Sequence, residues 1–268
     1  MKTFRKIIAG LICLVLMVTA NTCSGRKKEE EKETTAPVTT TAPTERVTVN
    51  PNEKTSPGIT YFVPETKKVD KSYFDDVVFV GDSISFKLSG YDLKTDCLGN
   101  AIFLTSPNLS AINSLWDLNT SGAVHPSYNG QMMRVPDGVK ASGRSKVYIM
   151  LGMNDLHSFG MERTLNNIKE LVGQIKEASP GVKIFMQSIT PIYGDKMEIT
   201  NDFVNEYNVK LSNLCKQQGW YYIDVAVALR DENGALPLEY CGDPEVMGIH
   251  FLDAGCQVWA DYLYTHTA

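Results

Sequence analysis

The sequence predicts an α/β fold: a three-layer α/β/α sandwich around a central, mostly parallel five-stranded sheet. Two observations predict it. From residue 74 onward, short β-branched and aromatic runs alternate with longer segments of helical periodicity, the pattern that places a parallel sheet between helices. The strand-like runs are continuously apolar rather than alternating, as strands buried on both faces must be.

Val77-Val78-Phe79-Val80 is the first such run, and Ala101 to Leu104 is a weaker candidate for the second. Val147 to Leu151, Val182 to Gln187 and Tyr221 to Val225 supply the others. Between them, Met161 to Ala178 carries Leu165, Ile168, Leu171, Val172 and Ile175 at helical spacing and stops before Pro180-Gly181, as a helix should. Asp202 to Gln218 repeats the rhythm with Phe203, Tyr207, Leu211 and Leu214, and residues 253 to 264 form a last helix. In such sheets, sites form at the carboxyl ends of the strands.

The first 70 residues have a different character. Lys2, Arg5 and Lys6 precede an apolar run from Ile7 to Val18, which is the layout of a signal peptide and is shorter than the roughly 20 residues of a membrane span. Residues 1–22 are therefore expected to be a signal peptide. Thr19 to Gly25 resembles a bacterial lipoprotein processing site, with Cys23 as the lipid-attachment residue; a soluble secreted product is the alternative. Residues 23–70, with RKKEEEKE and a Thr/Pro/Ala stretch from Thr34 to Thr44, hold little apolar surface to offset ordering and are expected to be a disordered linker. Residues 71–268 are the expected folded domain. The expected location is extracytoplasmic, at the cell membrane through an N-terminal lipid or secreted, as a monomer.

Net charge is −5, and the 26 basic residues are scattered without a basic stripe, which argues against nucleic-acid binding. Outside the N-terminal segment lie Cys97, Cys215, Cys241 and Cys256. An oxidising compartment permits disulfides among them, and buried thiols fit as well. No metal-ligand spacing occurs in the sequence, and neither metal nor cofactor is implied.

Three short motifs carry chemistry. Gly81-Asp82-Ser83 places a hydroxyl directly after the first strand, where Ser serves equally as a helix cap or as a nucleophile. Gly152-Met153-Asn154-Asp155 follows the Val147 strand; an Asn amide there is a neutral donor suited to an oxyanion, or simply turn chemistry. Gly248-Ile249-His250-Phe251 precedes the last helix. Each motif alone is ambiguous, but in this order all three converge on one edge of one sheet.

Together the motifs resemble three of the four blocks of the GDSL/SGNH hydrolase family, over residues 74 to about 266 of a flavodoxin-like α/β/α layout. The resemblance implies a serine esterase in which Ser83 is the nucleophile and His250 the general base. Asn154 and the Ser83 backbone N–H would belong to the oxyanion hole, and no metal would be needed. Two positions depart from the pattern. Met247 stands where the family usually carries its Asp, so Asp243, or less favourably Glu245, is expected to orient His250; a Ser–His dyad held by a backbone carbonyl is the alternative. The family's oxyanion Gly has no evident counterpart. Asn108, in a Ser106 to Ser110 stretch expected to open a helix, is the first candidate because Asn tolerates left-handed geometry; Gly99 is the second.

Residues 119 to 145 form a long polar insert bearing His125, read as a decorated surface loop or, alternatively, a substrate wall. The expected substrate is a carboxyl ester, with acetyl or short acyl groups on a glycan favoured over a long-chain lipid because the insert is polar. An acyltransferase on the same fold and an inactive surface-anchored binding module are the competing readings.

Overall fold

The computed structural model describes residues 54–194 and 196–268, so the expected signal peptide, Cys23 and the linker up to residue 53 lie outside the described residues. In chain order the elements are β1 (Val77–Gly81), α1 (Ser83–Thr95), β2 (Ile102–Thr105), β3 (Ser127–Tyr128), β4 (Gln131–Met132) and α2 (Val135–Ser142). They continue with β5 (Lys146–Met150), α3 (Met153–Ala178), β6 (Lys183–Gln187), α4 (Asn201–Gln218), β7 (Tyr221–Ile223) and α5 (Asp253–Leu263). The main sheet is five-stranded in the order β2-β1-β5-β6-β7, and every pairing in it is parallel. The chain leaves β1 toward one edge and returns at β5 toward the other, so the gap between β1 and β5 is the topological switch point where α/β folds place ligands.

The interior strands are apolar because helices cover both faces. Every residue of β1 is buried, as are the last four of β5 and of β6. On one face a ladder of rings crosses all five strands. Phe103, Phe79, Tyr148, Phe185 and Tyr221 sit in matched register with centroids 5.0, 5.3, 4.5 and 4.6 Å apart. Helix α5 covers this face, its Trp259 Nε1 donating to Gln187 Oε1 at 2.8 Å, and α1 packs beside it. Helix α2 lies on the other face, where Gly138 lets its backbone approach the Leu104 side chain closely, and α3 and α4 follow.

Several expectations change. The linker was expected to run to residue 70, but Ser56, Ile59 and Val63 are buried, and Val63 N donates to Tyr222 O at 2.7 Å beside edge strand β7. The partners of Ser56 and Val63, Asp224 and Tyr222, lie more than a hundred and fifty residues away, so the composition of the segment does not reveal them. The expected 161–178 helix is the second part of α3, which starts at Met153 and breaks at Gly160 (φ 70°, ψ 172°). Ser106 to Ser110 opens no α-helix; only a 3-10 turn at Asn113–Leu115 follows, because the segment's backbone is held by side chains instead. The 119–145 insert holds the β3–β4 hairpin and α2, and His125 is buried, not solvent-exposed. The four cysteines of the domain are free thiols; three are buried and Cys97 is partly so.

Candidate active site

Ser83 opens α1, but it does not cap it. The cap is Asp82, whose Oδ1 accepts the Ile84 N–H at 2.9 Å, leaving the Ser83 hydroxyl free for another partner. That partner is His250: Nε2 lies 3.0 Å from Ser83 Oγ. Gly81 is obligatory here because a Cβ on it would fall 2.1 Å from Ser85 Oγ and 2.9 Å from Met150 O. The strand-to-helix turn is therefore tighter than any side chain allows.

The far nitrogen of His250, Nδ1, lies 2.7 Å from Asp243 Oδ2, so Asp243, and not Glu245, meets the imidazole. The separation of seven residues is closed by a turn in which Asp243 O accepts the N–H groups of Val246, Met247 and Gly248 at 2.9, 3.2 and 3.1 Å. The second carboxylate oxygen, Oδ1, then accepts the backbone N–H of Ile249 and of His250, both at 3.0 Å. Gly248 adopts φ 74°, and a Cβ there would meet Tyr193 O at 2.3 Å. Its carbonyl takes the Tyr193 N–H at 2.7 Å, which pins the turn to the loop after β6. Met247 packs against the hydrophobic core, so the position where the family carries a carboxylate serves packing in this chain.

Burial alone would raise the Asp243 pKa, but the His250 ring, the His250 and Ile249 N–H groups and the imidazole's charge outweigh it and hold the carboxyl below its usual range. An ionised Asp243 accepts from Nδ1–H, which leaves Nε2 as the acceptor for the Ser83 hydroxyl proton. The His250 side chain is 35% exposed, so a substrate can reach it from solvent.

Asn154 stands in the first turn of α3, across the switch point from Ser83, and its Nδ2 donates to Leu109 O at 3.0 Å. One amide proton is thus committed and one remains. Asn108 has φ 63°, the left-handed geometry expected of it, in the loop after β2 and so on the same sheet edge. Gly99 is elsewhere: its ideal Cβ lies near Asp75 Oδ1 and Lys71 O, which precede β1 at the opposite end of the strands. The structure thus brings Ser83, His250, Asp243, Asn154 and the Asn108 loop to one edge and leaves Gly99 out.

Sequence reading assigned no part to Asp155, which ties the Asn108 loop to α3 through two backbone N–H groups, or to Tyr193. The first could have been sought as an unexplained acid inside a motif; the second is backbone chemistry and carries no sequence signal. Among the described residues no group of three His, Cys, Asp or Glu is placed to hold a metal ion. A shallow depression of about 470 Å³ is lined by Leu156, His157, Glu198, Ile199, Thr200 and Phe203. Neither it nor a larger cleft of about 710 Å³, bordered by Asn201, Asn208 and Arg230 at the β6–β7 end, is lined by Ser83, His250, Asp243 or Asn154, so neither cavity marks the chemistry.

The parallel α/β sheet thus carries a Ser–His–Asp hydrogen-bonded line at its switch point, a geometry of the kind serine nucleophiles use. Residues 79–258 match the GDSL-like Lipase/Acylhydrolase family. The chain belongs to that family and is a carboxylic ester hydrolase. No curated protein matches the sequence. Among solved structures, a GDSL-like lipase from Bacteroides thetaiotaomicron is similar at 17% identity, over 70% of this chain and 86% of that one, with a TM-score of 0.55. A candidate platelet activating factor from Streptococcus pneumonia is similar at 18% identity, over 72% and 87%, with a TM-score of 0.54. A candidate acylhydrolase from Bacteroides fragilis is similar at 17% identity, over 75% and 88%, with a TM-score of 0.53. At these identities the similarity concerns the fold.

Proposed function

We propose that this chain is an extracytoplasmic serine esterase that removes acetyl or short acyl groups from envelope or environmental glycans, with Ser83 as nucleophile, His250 as general base and Asp243 as the group that orients it. The observation that carries the proposal is the unbroken line Ser83 Oγ, His250 Nε2 and Nδ1, Asp243 Oδ2, at 3.0 and 2.7 Å. His250 takes the Ser83 proton as Oγ attacks the ester carbonyl, and Asp243 stabilises the imidazolium that forms. The oxyanion is met by the Ser83 N–H, the free proton of the Asn154 amide and the Asn108 N–H. His250 then returns the proton to the leaving alkoxide, and a water activated by the same imidazole hydrolyses the acyl-enzyme.

The polar character of the 119–145 insert supports a small acyl group on a hydroxylated carrier over a long chain, which would call for a broad apolar surface. Cys23, as the lipid-attachment residue, would hold the enzyme at the cell surface; Cys23→Ser should move it from the membrane fraction to the medium, and unchanged partitioning would remove that part of the proposal.

The central test is fluorophosphonate labelling together with acetate release from an O-acetylated glycan. The parent should label and release acetate; Ser83→Ala should do neither while keeping its thermal midpoint, because Asp82 and not Ser83 caps α1. Labelling that survives in Ser83→Ala would transfer the nucleophile elsewhere.

A further inference from the structure

Asp155 follows the proposed oxyanion residue Asn154 and touches neither Ser83 nor His250 in any hydrogen bond, yet it is wholly buried. Its two oxygens are spent on consecutive backbone donors of another loop: Oδ2 accepts the Ala111 N–H at 2.9 Å and Oδ1 the Ile112 N–H at 3.0 Å. Burial raises its pKa, and those two N–H groups oppose the rise. A buried carboxylate is costly unless its acceptors are filled, and this one is placed where only the 108–112 loop fills them.

That loop is the one carrying Asn108. Several of its other polar groups also have partners. Leu109 O accepts from Asn154 Nδ2, Leu109 N donates to Ser106 O at 3.0 Å, and Asn113 Nδ2 donates to Asn108 O at 2.8 Å while Asn113 Oδ1 accepts the Ser110 N–H at 2.8 Å. The loop has no helix or strand of its own across this stretch, so its shape is set by Asn154 and Asp155 from the protein side and by Asn113 from the solvent side.

We infer that Asp155 is a positioning residue for the ester hydrolysis: it bolts the Asn108 loop to the first turn of α3 and so fixes the distance between two of the three oxyanion donors, the Asn108 N–H and the Asn154 amide. Donors aimed at a developing oxyanion work only if they need no reorganisation when the charge appears. With Asn in place of Asp155, one of the two adjacent N–H groups faces an amide NH2 instead of an acceptor, and the loop must move to satisfy it. This inference rests on the reading of Ser83 as the nucleophile.

The test is turnover of a short-chain aryl ester by the purified enzyme, expressed per active site counted by exhaustive fluorophosphonate labelling, for Asp155→Asn. The expected result is a fall in kcat of about a hundredfold or more, the scale of losing one oxyanion donor, with KM within about threefold and the pH midpoints of the parent, since the His250–Asp243 pair is untouched. A merely structural role would lower the number of labelled sites and leave turnover per site alone; that outcome, or kcat within about threefold of the parent, overturns the inference. If Asp155→Asn does not fold, Asn113→Ala loosens the same loop from the solvent side and should show the same kcat-only loss; parental turnover there overturns it. A parent that fails to label would instead remove the nucleophile reading itself, and the inference with it.

Discussion

Asp243 meets the His250 imidazole from seven residues upstream. The Ser, the Asn and the His stand in recognisable local motifs, each readable from neighbours within a few residues. The acid does not, because what brings it to His250 is a turn closed by three N–H groups on its own carbonyl, and a glycine at φ 74° that makes the chain double back. Sequence ranks Asp243 over Glu245 by the turn that Gly242-Asp243-Pro244 suggests and by rotamer cost, but the hydrogen bonds that close that turn carry no sequence signal. Glu245 has its side chain 88% exposed, with Lys196 Nζ 3.7 Å away, a surface pair worth little. Asp243→Asn is therefore expected to lower kcat by about 10³-fold or more at nearly constant KM, because the imidazole loses both its tautomer and its charge partner. Glu245→Gln should stay within about twofold, measured in the same steady-state assay.

Helix α1 shows how one element divides labour between adjacent side chains. Asp82 satisfies the helix terminus so that Ser83 need not, and it does so from a fully buried position. Burial pushes its pKa from 3.8 to about 6, against the opposing N–H groups of Ile84 and Ser85 and the nearby His250. A carboxyl whose folded pKa is raised contributes stability while protonated and loses it as pH rises toward and through the folded value. The parent should thus lose up to about 3 kcal/mol from this group between about pH 4 and pH 7, the equivalent of two pKa units. Asp82→Asn keeps an acceptor for the Ile84 N–H and has no charge to bury. Urea unfolding should find the variant more stable than the parent above about pH 6 and converging with it near pH 4; a parallel pair of curves would show that the buried carboxylate costs nothing.

The same scale explains what sequence missed among the elements. The interior strands were legible because burial on both faces writes them as apolar runs, while edge strand β2, mostly half-buried, gave the weaker signal. The 56–69 segment was not, since it is held by single distant contacts: Ser56 N and Oγ on Asp224 at 2.5 and 2.7 Å, Val63 on Tyr222, and Thr66 on Thr265. The insert was legible as an insert, but its hairpin is two residues per strand and leaves no periodicity to read.

At the scale of the whole molecule, the active edge is assembled from four separate stretches of chain, after β1, after β2, after β5 and before α5, so its geometry depends on how the strands are offset from one another. The ladder of five rings is a gauge of that offset. Sliding one strand by a single residue would turn its ring to the opposite face, and sliding it by two would displace the ring by ~6.6 Å along the strand; neither leaves stacked rings. Stacking between Tyr148 and Phe185 at 4.5 Å, and between Phe185 and Tyr221 at 4.6 Å, therefore exists only while the carboxyl ends are level. It follows that near-ultraviolet circular dichroism from these tyrosines and fluorophosphonate labelling at Ser83 should disappear along one denaturation curve with one midpoint. Labelling lost at lower denaturant than the dichroism would mean that the active edge opens as a unit of its own while the sheet beneath it stays registered.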